Sequence, residues 1–377
     1  MKIIEPKVEL WRQEDAKAHV ARCARVCYGK ETGNDEAIVK RLINSKHWSM
    51  FRHETVYAMI PIELWYGNFG EILKGYKASP YISWITVRDY IYVSTNGNFM
   101  LDIEKYEPVL YNEINNYRVS EEEFNSCETA YNLFARWTFC VDTQISTSRE
   151  LNRVSPNNIA EKSTRYVYED GTICRPHWMS NDIANHFNNE PIFDEWIVEN
   201  EKVYLYYDAC ESSFNKYHIL IDEYNMNRQD ARGILPIDTA TRCVYTYSIL
   251  EWRAILDLRY YGTTGKPHPN AKIIAGMIRN NLMELGYDFR DYKLKHFHIK
   301  DYSGTNFTDD LNDGEEFLYT TIRCKDDKEV TLLCKYVKNK HIGNCSNCIF
   351  NKYLCYGLLC NIVVLKVVKD EEMKNNK

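Results

Sequence analysis

A mixed α/β (α+β) chain, one large domain followed by a small β-rich module, is predicted by three observations. Stretches with a helical repeat are interleaved with short runs of period two. The 377 residues are 45% apolar and 27% charged, the balance of a folded globular chain with ample material for a core. Past residue 300 the chain turns polar, then gives short β-like runs, and this region holds six of its thirteen cysteines.

The elements follow in order. Glu14 to Tyr28 sets Ala16, Val20, Ala24 and Cys27 at helical spacing. A second helix covers Asp35 to Asn44, with Asn34 as its cap. His53 to Ile62 (HETVYAMIPI) alternates as a half-buried strand. Tyr90 to Ile103 is expected to be a hairpin turning at Asn96-Gly97, because that dipeptide accepts the positive φ values of a type I′ turn. It falls in an insert of about residues 65–140 that reads as peripheral.

Ser120-x-x-Glu123 is a capping box opening a helix that runs to Trp137. Phe193 to Tyr217 is a longer helix with Val203, Tyr207, Cys210, Phe214 and Tyr217 on one stripe. Thr246 to Tyr260 and Pro269 to Leu285 complete the helices, the latter with Pro at its start and Gly286 just past its end. Residues 296–316 read as a linker after a first domain of residues 1–295. Residues 317–370 read as a module with the β-like runs EFLYTTI, VTLLCKYV and NIVVLKVV.

Bulk properties limit the function classes. A net charge of -6 gives no global basic footprint, so nucleic acid is not the expected partner. No secretory signal is visible and no run approaches the roughly 20 apolar residues of a membrane span. The expectation is a cytoplasmic chain with reduced thiols. The 29 tyrosines point first to packing in the core and between subunits.

Ser148 to Tyr166, SRELNRVSPNNIAEKSTRY, is the densest group of chemistry-bearing side chains. Arg149 and Arg153 lie four apart, on one helical face with Glu150 beside them. Pro156 and Asn157-Asn158 then break the helix, and Ser163-Thr164-Arg165 follows on a loop. Arginine forks and small hydroxyls after a helix suit a phosphate or an acidic planar ligand. A surface helix laced with ion pairs, followed by a polar loop, is the alternative that composition by itself favours.

The spacing Ser-Arg-Glu-Leu, one residue, Arg, eleven residues, Thr-Arg-Tyr resembles the signature of flavin-dependent thymidylate synthases. Upstream, CARVCYGK and KHWSMFRHETVYAMI resemble the family's Arg-x-Cys-Tyr helix and the segment leading into a strand. Downstream, RQDARGILP and TATRCVYTYSILEWRAILDLR resemble its Gln-x-Ala-Arg-x-x-Leu-Pro segment and its Leu-Arg helix, with His268 following. Four segments keep their order across residues 20–285.

The resemblance implies a central, mainly antiparallel sheet flanked by helices, and a homotetramer with sites built from several subunits. It implies reductive methylation of dUMP to dTMP, with methylenetetrahydrofolate giving the carbon, FAD the hydride and NADPH reducing the flavin. It carries Glu150, Arg153, Ser163, Arg165, Arg232 and Arg259 to dUMP, with Ser163 and Arg259 as the catalytic pair. It carries His53, Thr55, Arg153, Glu161, Ser248 and His268 to FAD. No cysteine stands in a nucleophile context, and the implied chemistry needs none. Arg259 shares a face with Trp252 and Leu256, so it needs an anion, either nucleotide or a neighbouring carboxylate.

The chain departs from the family's Arg-His-Arg triplet, having Val154 and Ser155 where the family has His and the second Arg. Asn158 replaces a loop Ser, and Ser248 replaces an Asn near the flavin. Each charged hydrogen bond removed is worth about 1.5–3 kcal/mol. Three readings follow: the methylation itself, another C5-pyrimidine modification such as hydroxymethylation, and a nucleotide-binding chain that has lost FAD. Separately, Cys345, Cys348, Cys355 and Cys360 have the composition of a tetrahedral zinc site. Buried thiols of a small module, or a redox pair at Cys345 and Cys348, are the alternatives.

Overall fold

Residues 240–248, ATRCVYTYS, are almost wholly buried. A strand buried along nearly its whole length belongs in the interior of a sheet, and here it is the organising strand. The structure is a computed structural model that describes residues 1–153, 157–190, 200–287 and 289. It also describes 317–323, 329–336 and 362–368, for their strands alone. The chain divides into two compact units, Met1–Gly286 and Tyr287–Lys377.

The strands of the first unit are β1 (Lys2–Ile4), β2 (Lys7–Trp11), β3 (Thr55–Pro61), β4 (Ile82–Val87), β5 (Tyr90–Asn96), β6 (Arg118–Val119), β7 (Arg136–Gln144), β8 (Ile159–Glu161), β9 (Thr172–Cys174) and β10 (Ala240–Ser248). Its helices begin with α1 (Ala16–Val26), α2 (Asp35–Asn44), α3 (Asn68–Gly75), α4 (Gly97–Tyr106), α5 (Pro108–Asn116), α6 (Glu121–Asn125) and α7 (Glu128–Phe134). They continue with α8 (Ile145–Leu151), α9 (Asn181–Asn189), α10 (Glu201–Asp222), α11 (Arg228–Ala231), α12 (Ile249–Leu256) and α13 (Pro269–Glu284).

The central sheet is antiparallel in the order β2-β7-β10-β8. One face packs against α1 through Trp11, Cys23, Val26, Cys140, Ala160 and Val244. Trp252 of α12, 1% exposed, packs edge-on against Phe139 and Tyr247 and donates Nε1–H to the Trp137 carbonyl at 3.0 Å. A second antiparallel sheet, β4-β5-β3-β6, carries its own apolar core with α3, α4 and α5. The expected α+β class with mainly antiparallel sheets is therefore present, with two such sheets in place of one. In the second unit, β11 (Phe317–Arg323), β12 (Glu329–Tyr336) and β13 (Ile362–Val368) form an antiparallel sheet where the three β-like runs were expected.

Several helices keep their predicted signals. Asn34 caps α2, its Oδ1 accepting from Ala37 N at 2.9 Å, and α13 starts at Pro269. The Ser120 capping box is formed, but the helix it opens is short; a break at Cys127 separates α6 from α7, and Trp137 lies in β7. The predicted helix from Thr246 starts later, because β10 runs on to Ser248. Residues 191–199, the start of the helix expected from Phe193, lie outside the described residues.

The hairpin at Asn96-Gly97 is a correction. Asn96 ends β5 and caps α4, its Oδ1 accepting from Phe99 N at 3.0 Å, and Gly97 is the first helical residue. A Cβ on Gly97 would collide with the Glu54 carboxylate, so the glycine serves a close approach and not a turn. The true hairpin is β4-β5, turning at Arg88-Asp89 with Arg88 at φ 53°.

Candidate functional site

The Ser163–Val167 turn is built at the C-terminal end of α1. Ser163 N donates to the Cys27 carbonyl at 3.1 Å, while the Ser163 carbonyl accepts from Tyr166 N and Val167 N at 3.1 and 2.9 Å. Tyr28, just past α1, stacks at a tilt on Tyr166 with 5.8 Å between ring centroids. Arg165 lies over the Tyr166 ring at 5.3 Å.

Two further arginines reach this turn from α11 and the residue after it. Arg232 Nη1 donates to Thr164 Oγ1 at 3.2 Å, and Arg228 Nη1 donates to the Tyr166 carbonyl at 2.7 Å. Arg165, Arg228 and Arg232 are exposed, and among the described residues no carboxylate oxygen lies within 4.0 Å of any of them. Arg228 is the member the sequence reading missed. Its signal was present: it stands four residues before Arg232 in a short polar helix.

Arg259 is placed differently. α12 ends at Leu256, and residues 257–261 form a π-helical turn, a local widening that often marks functional sites. Its side chain, 15% exposed, holds Glu150 twice, with Nε to the main-chain carbonyl at 2.7 Å and Nη1 to Oε2 at 3.1 Å. The anion that a half-buried arginine needs is thus a carboxylate of the same chain. Glu150 also pairs with Arg153, Oε1 to Nη2 at 3.3 Å. Arg149 and Arg153 do not share a helical face, because α8 stops at Leu151.

In the same turn, burial pushes the Asp257 carboxyl up to about 6, against the opposing pull of Arg253.

The residues carried to FAD are dispersed. His53 is 0% exposed, its Nδ1 joined to Thr246 Oγ1 at 2.8 Å. Thr246 joins Thr138 at 2.8 Å, and Thr138 joins His19 Nε2 at 3.2 Å. Burial lowers His53 to about 3 and His19 to about 4, so both rings are neutral. Thr55 lines a cavity apart from the turn. Glu161 accepts from Ser148 Oγ at 2.8 Å and Thr241 Oγ1 at 3.1 Å. Ser248 closes the capping box of α12 with Glu251.

Two residues of that set remain open to a ligand. Arg153 is exposed, and so is His268, whose Nδ1 accepts from Asn270 N at 3.3 Å. That acceptor role puts the proton on Nε2 when the ring is neutral. His177 beside it, its ring at 5.5 Å in an edge-on arrangement, is joined through Nδ1 to Asn270 Oδ1 at 3.0 Å. Of the residues carried to FAD, Arg153 and His268 are thus exposed, whereas the Ser248 hydroxyl is engaged by Glu251. Val154 and Ser155 lie outside the described residues, as do Cys345, Cys348, Cys355 and Cys360.

Comparisons with known proteins meet this geometry over the same segments. Residues 133–284 match the family model described as thymidylate synthase complementing protein. That stretch spans α8, the Ser163 turn, α11 and the Arg259 turn, and over it the resemblance to flavin-dependent thymidylate synthases is shown.

Among solved structures, a UMP/dUMP methylase, PolB from Streptomyces cacaoi, bound with 5-Br dUMP, is similar at 16% identity and TM-score 0.36. The match covers 76% of this chain and 93% of that one. Thymidylate synthase X from Helicobacter pylori, with FAD and dUMP, is similar at 18% identity and TM-score 0.29, over 38% of this chain and 66% of that one. No curated protein matches the chain.

Proposed function

We propose that this chain modifies C5 of dUMP, by reductive methylation to dTMP with methylenetetrahydrofolate as carbon donor and NADPH as reductant. The observation that carries the reading is the set of three arginines, free of carboxylates, on the Ser163–Tyr166 turn inside the segment that matches the family. Exposed guanidinium forks beside serine and threonine hydroxyls suit a phosphate monoester.

In this reading Arg165, Arg228 and Arg232 hold the phosphate, with Ser163 Oγ at the turn. Glu150 and Arg259 form the polar pair that meets the rest of the nucleotide. A nucleotide oxygen at Arg259 shares its guanidinium with Glu150, so the pair orients the substrate without supplying net charge. The same reading makes Ser163 and Arg259 the catalytic pair. Reduced FAD, when bound, supplies the hydride that completes the methyl group. Arg153 and the Nε2–H of His268 are the groups that hold it, and a homotetramer belongs to the same reading.

The test is purification followed by spectroscopy and product analysis. The expected result is flavin absorbance, saturable dUMP binding, and labelled dTMP formed only when methylenetetrahydrofolate and NADPH are both present. A hydroxymethyl product would identify the related C5 modification. A colourless protein that binds dUMP and takes up no added FAD would identify a nucleotide-binding chain without catalysis. Absence of dUMP binding would end the reading altogether.

A further inference from the structure

A cavity of about 240 Å³ lies where the second sheet meets the N-terminal segment, lined by Arg12, Gln13, Thr55, Tyr57, Glu121 and Arg136 among others. None of its lining residues belongs to the Ser163 turn or to the Glu150–Arg259 pair. Arg136 opens β7 and is only 8% exposed. Its Nη2 donates to the Arg52 carbonyl at 3.1 Å, but its Nε has no hydrogen-bond partner among the described residues. No carboxylate oxygen lies within 4.0 Å of the guanidinium among them either.

Two of the nearby acidic groups are engaged, whereas Glu14, also on the cavity wall, is exposed and has no ion pair among the described residues. Glu251 turns its Oε2 to the Ser248 amide and hydroxyl at 2.7 and 2.8 Å. Glu121, on the cavity wall, pairs with Arg12 at 2.9 Å, and those two charges offset one another. The Gln13 side chain bridges the Thr55 main chain in both directions, at 2.9 and 2.8 Å. Arg136 is therefore the one cation on this wall with neither a carboxylate nor a full set of acceptors. Tyr57 Oη accepts from Arg136 N at 2.7 Å and keeps its own proton to donate.

A buried guanidinium without a counter-ion is expensive, and a polar cavity at its side is where an anion would remove the cost. The volume lies below the roughly 300–1,000 Å³ of sites for drug-sized ligands, which limits the occupant to a few heavy atoms.

We infer that this cavity binds a small oxyanion, a free phosphate or carboxylate, through Arg136 and the Tyr57 hydroxyl. The inference is independent of the dUMP site, because neither residue takes part in it, although Thr55 of the set carried to FAD lines the cavity.

Inorganic phosphate and acetate are the probes, titrated calorimetrically into the full chain carrying Arg165→Met, Arg228→Met and Arg232→Met. That background removes exposed cations elsewhere, so the remaining binding reports on the cavity. Saturable one-site binding is expected, weakened tenfold or more by Arg136→Met. Glu121→Gln should tighten it several-fold, since Arg12 is then released towards the anion. Should Arg136→Met fail to fold, the Glu121→Gln result decides. Titrations without saturation, or equal affinities in the background and both variants, overturn the site. Displacement of phosphate by FAD also overturns it as a separate site, because the cavity would then belong to the cofactor.

Discussion

Arg232 and Arg259 are both arginines carried to the nucleotide, yet their surroundings predict opposite kinds of loss. Arg232 is exposed and touches the Thr164 hydroxyl, so little of the fold depends on it. Arg232→Ala should weaken dUMP binding by about ten- to a hundredfold, the ~1.5–3 kcal/mol of a charged hydrogen bond. Its unfolding free energy from urea titration should stay within about 0.5 kcal/mol of the parent. Calorimetry and urea titration on one preparation check both halves. Unchanged dUMP affinity would remove Arg232 from the site.

Glu150→Ala strands Arg259, which is 15% exposed, and should cost stability of the order of 1–2 kcal/mol, between surface and fully buried pairs. A shift inside experimental error would show that water satisfies Arg259 unaided. The sequence marked Arg259 as needing an anion but not which one. A carboxylate 109 residues away is a fact of tertiary structure. His53 shows the same limit: its neighbours in sequence identify the segment, whereas full burial against Thr246 depends on a strand 193 residues on.

At the scale of elements, caps were legible and turns were less so. Asn34 before Asp35 and Ser120-x-x-Glu123 are local chemistry, complete within one turn of chain, and both form. Asn96-Gly97 is equally local but serves two structures. An asparagine suits a type I′ turn and an N-cap alike, and the choice was made by Glu54 packing against Gly97. The actual hairpin turns on Arg88 at positive φ, which no residue preference announces. Asn96→Ala should therefore act as a lost cap, costing about 0.5–2 kcal/mol in chemical unfolding. Gly97→Ala should cost more, since its methyl group meets the Glu54 carboxylate. A neutral Asn96→Ala would show that the α4 N-terminus does not depend on this cap.

Across the first unit, a buried polar chain links parts that the sequence keeps far apart. His19 of α1 joins Thr138 of β7, Thr138 joins Thr246 of β10, and Thr246 joins His53, just before β3. Both imidazoles are neutral in the folded chain, lowered by burial from 6.5 to about 4 and about 3. The unfolded chain binds these protons below 6.5, whereas the folded chain does so only near 4 and 3. The stability they contribute is thus complete above 6.5 and is lost as pH falls from 6.5 towards 4. The slope is about 1.4 kcal/mol per pH unit for each group in that window.

Asp257 works the other way, since a carboxyl raised from 3.8 to about 6 favours folding at low pH and loses that contribution as pH rises through 6. The net curve mixes both signs, so the histidine part is isolated by difference. Urea unfolding of the parent and of His53→Gln at pH 4.5, 5.5, 6.5 and 7.5, values chosen to bracket the ordinary histidine value of about 6.5, supplies it. The stability gap between the two should narrow steadily below 6.5 and stay constant above it. A gap that does not change with pH would mean that His53 binds its proton as readily in the fold as in the unfolded chain, and the neutral polar chain through the sheet would have to be abandoned.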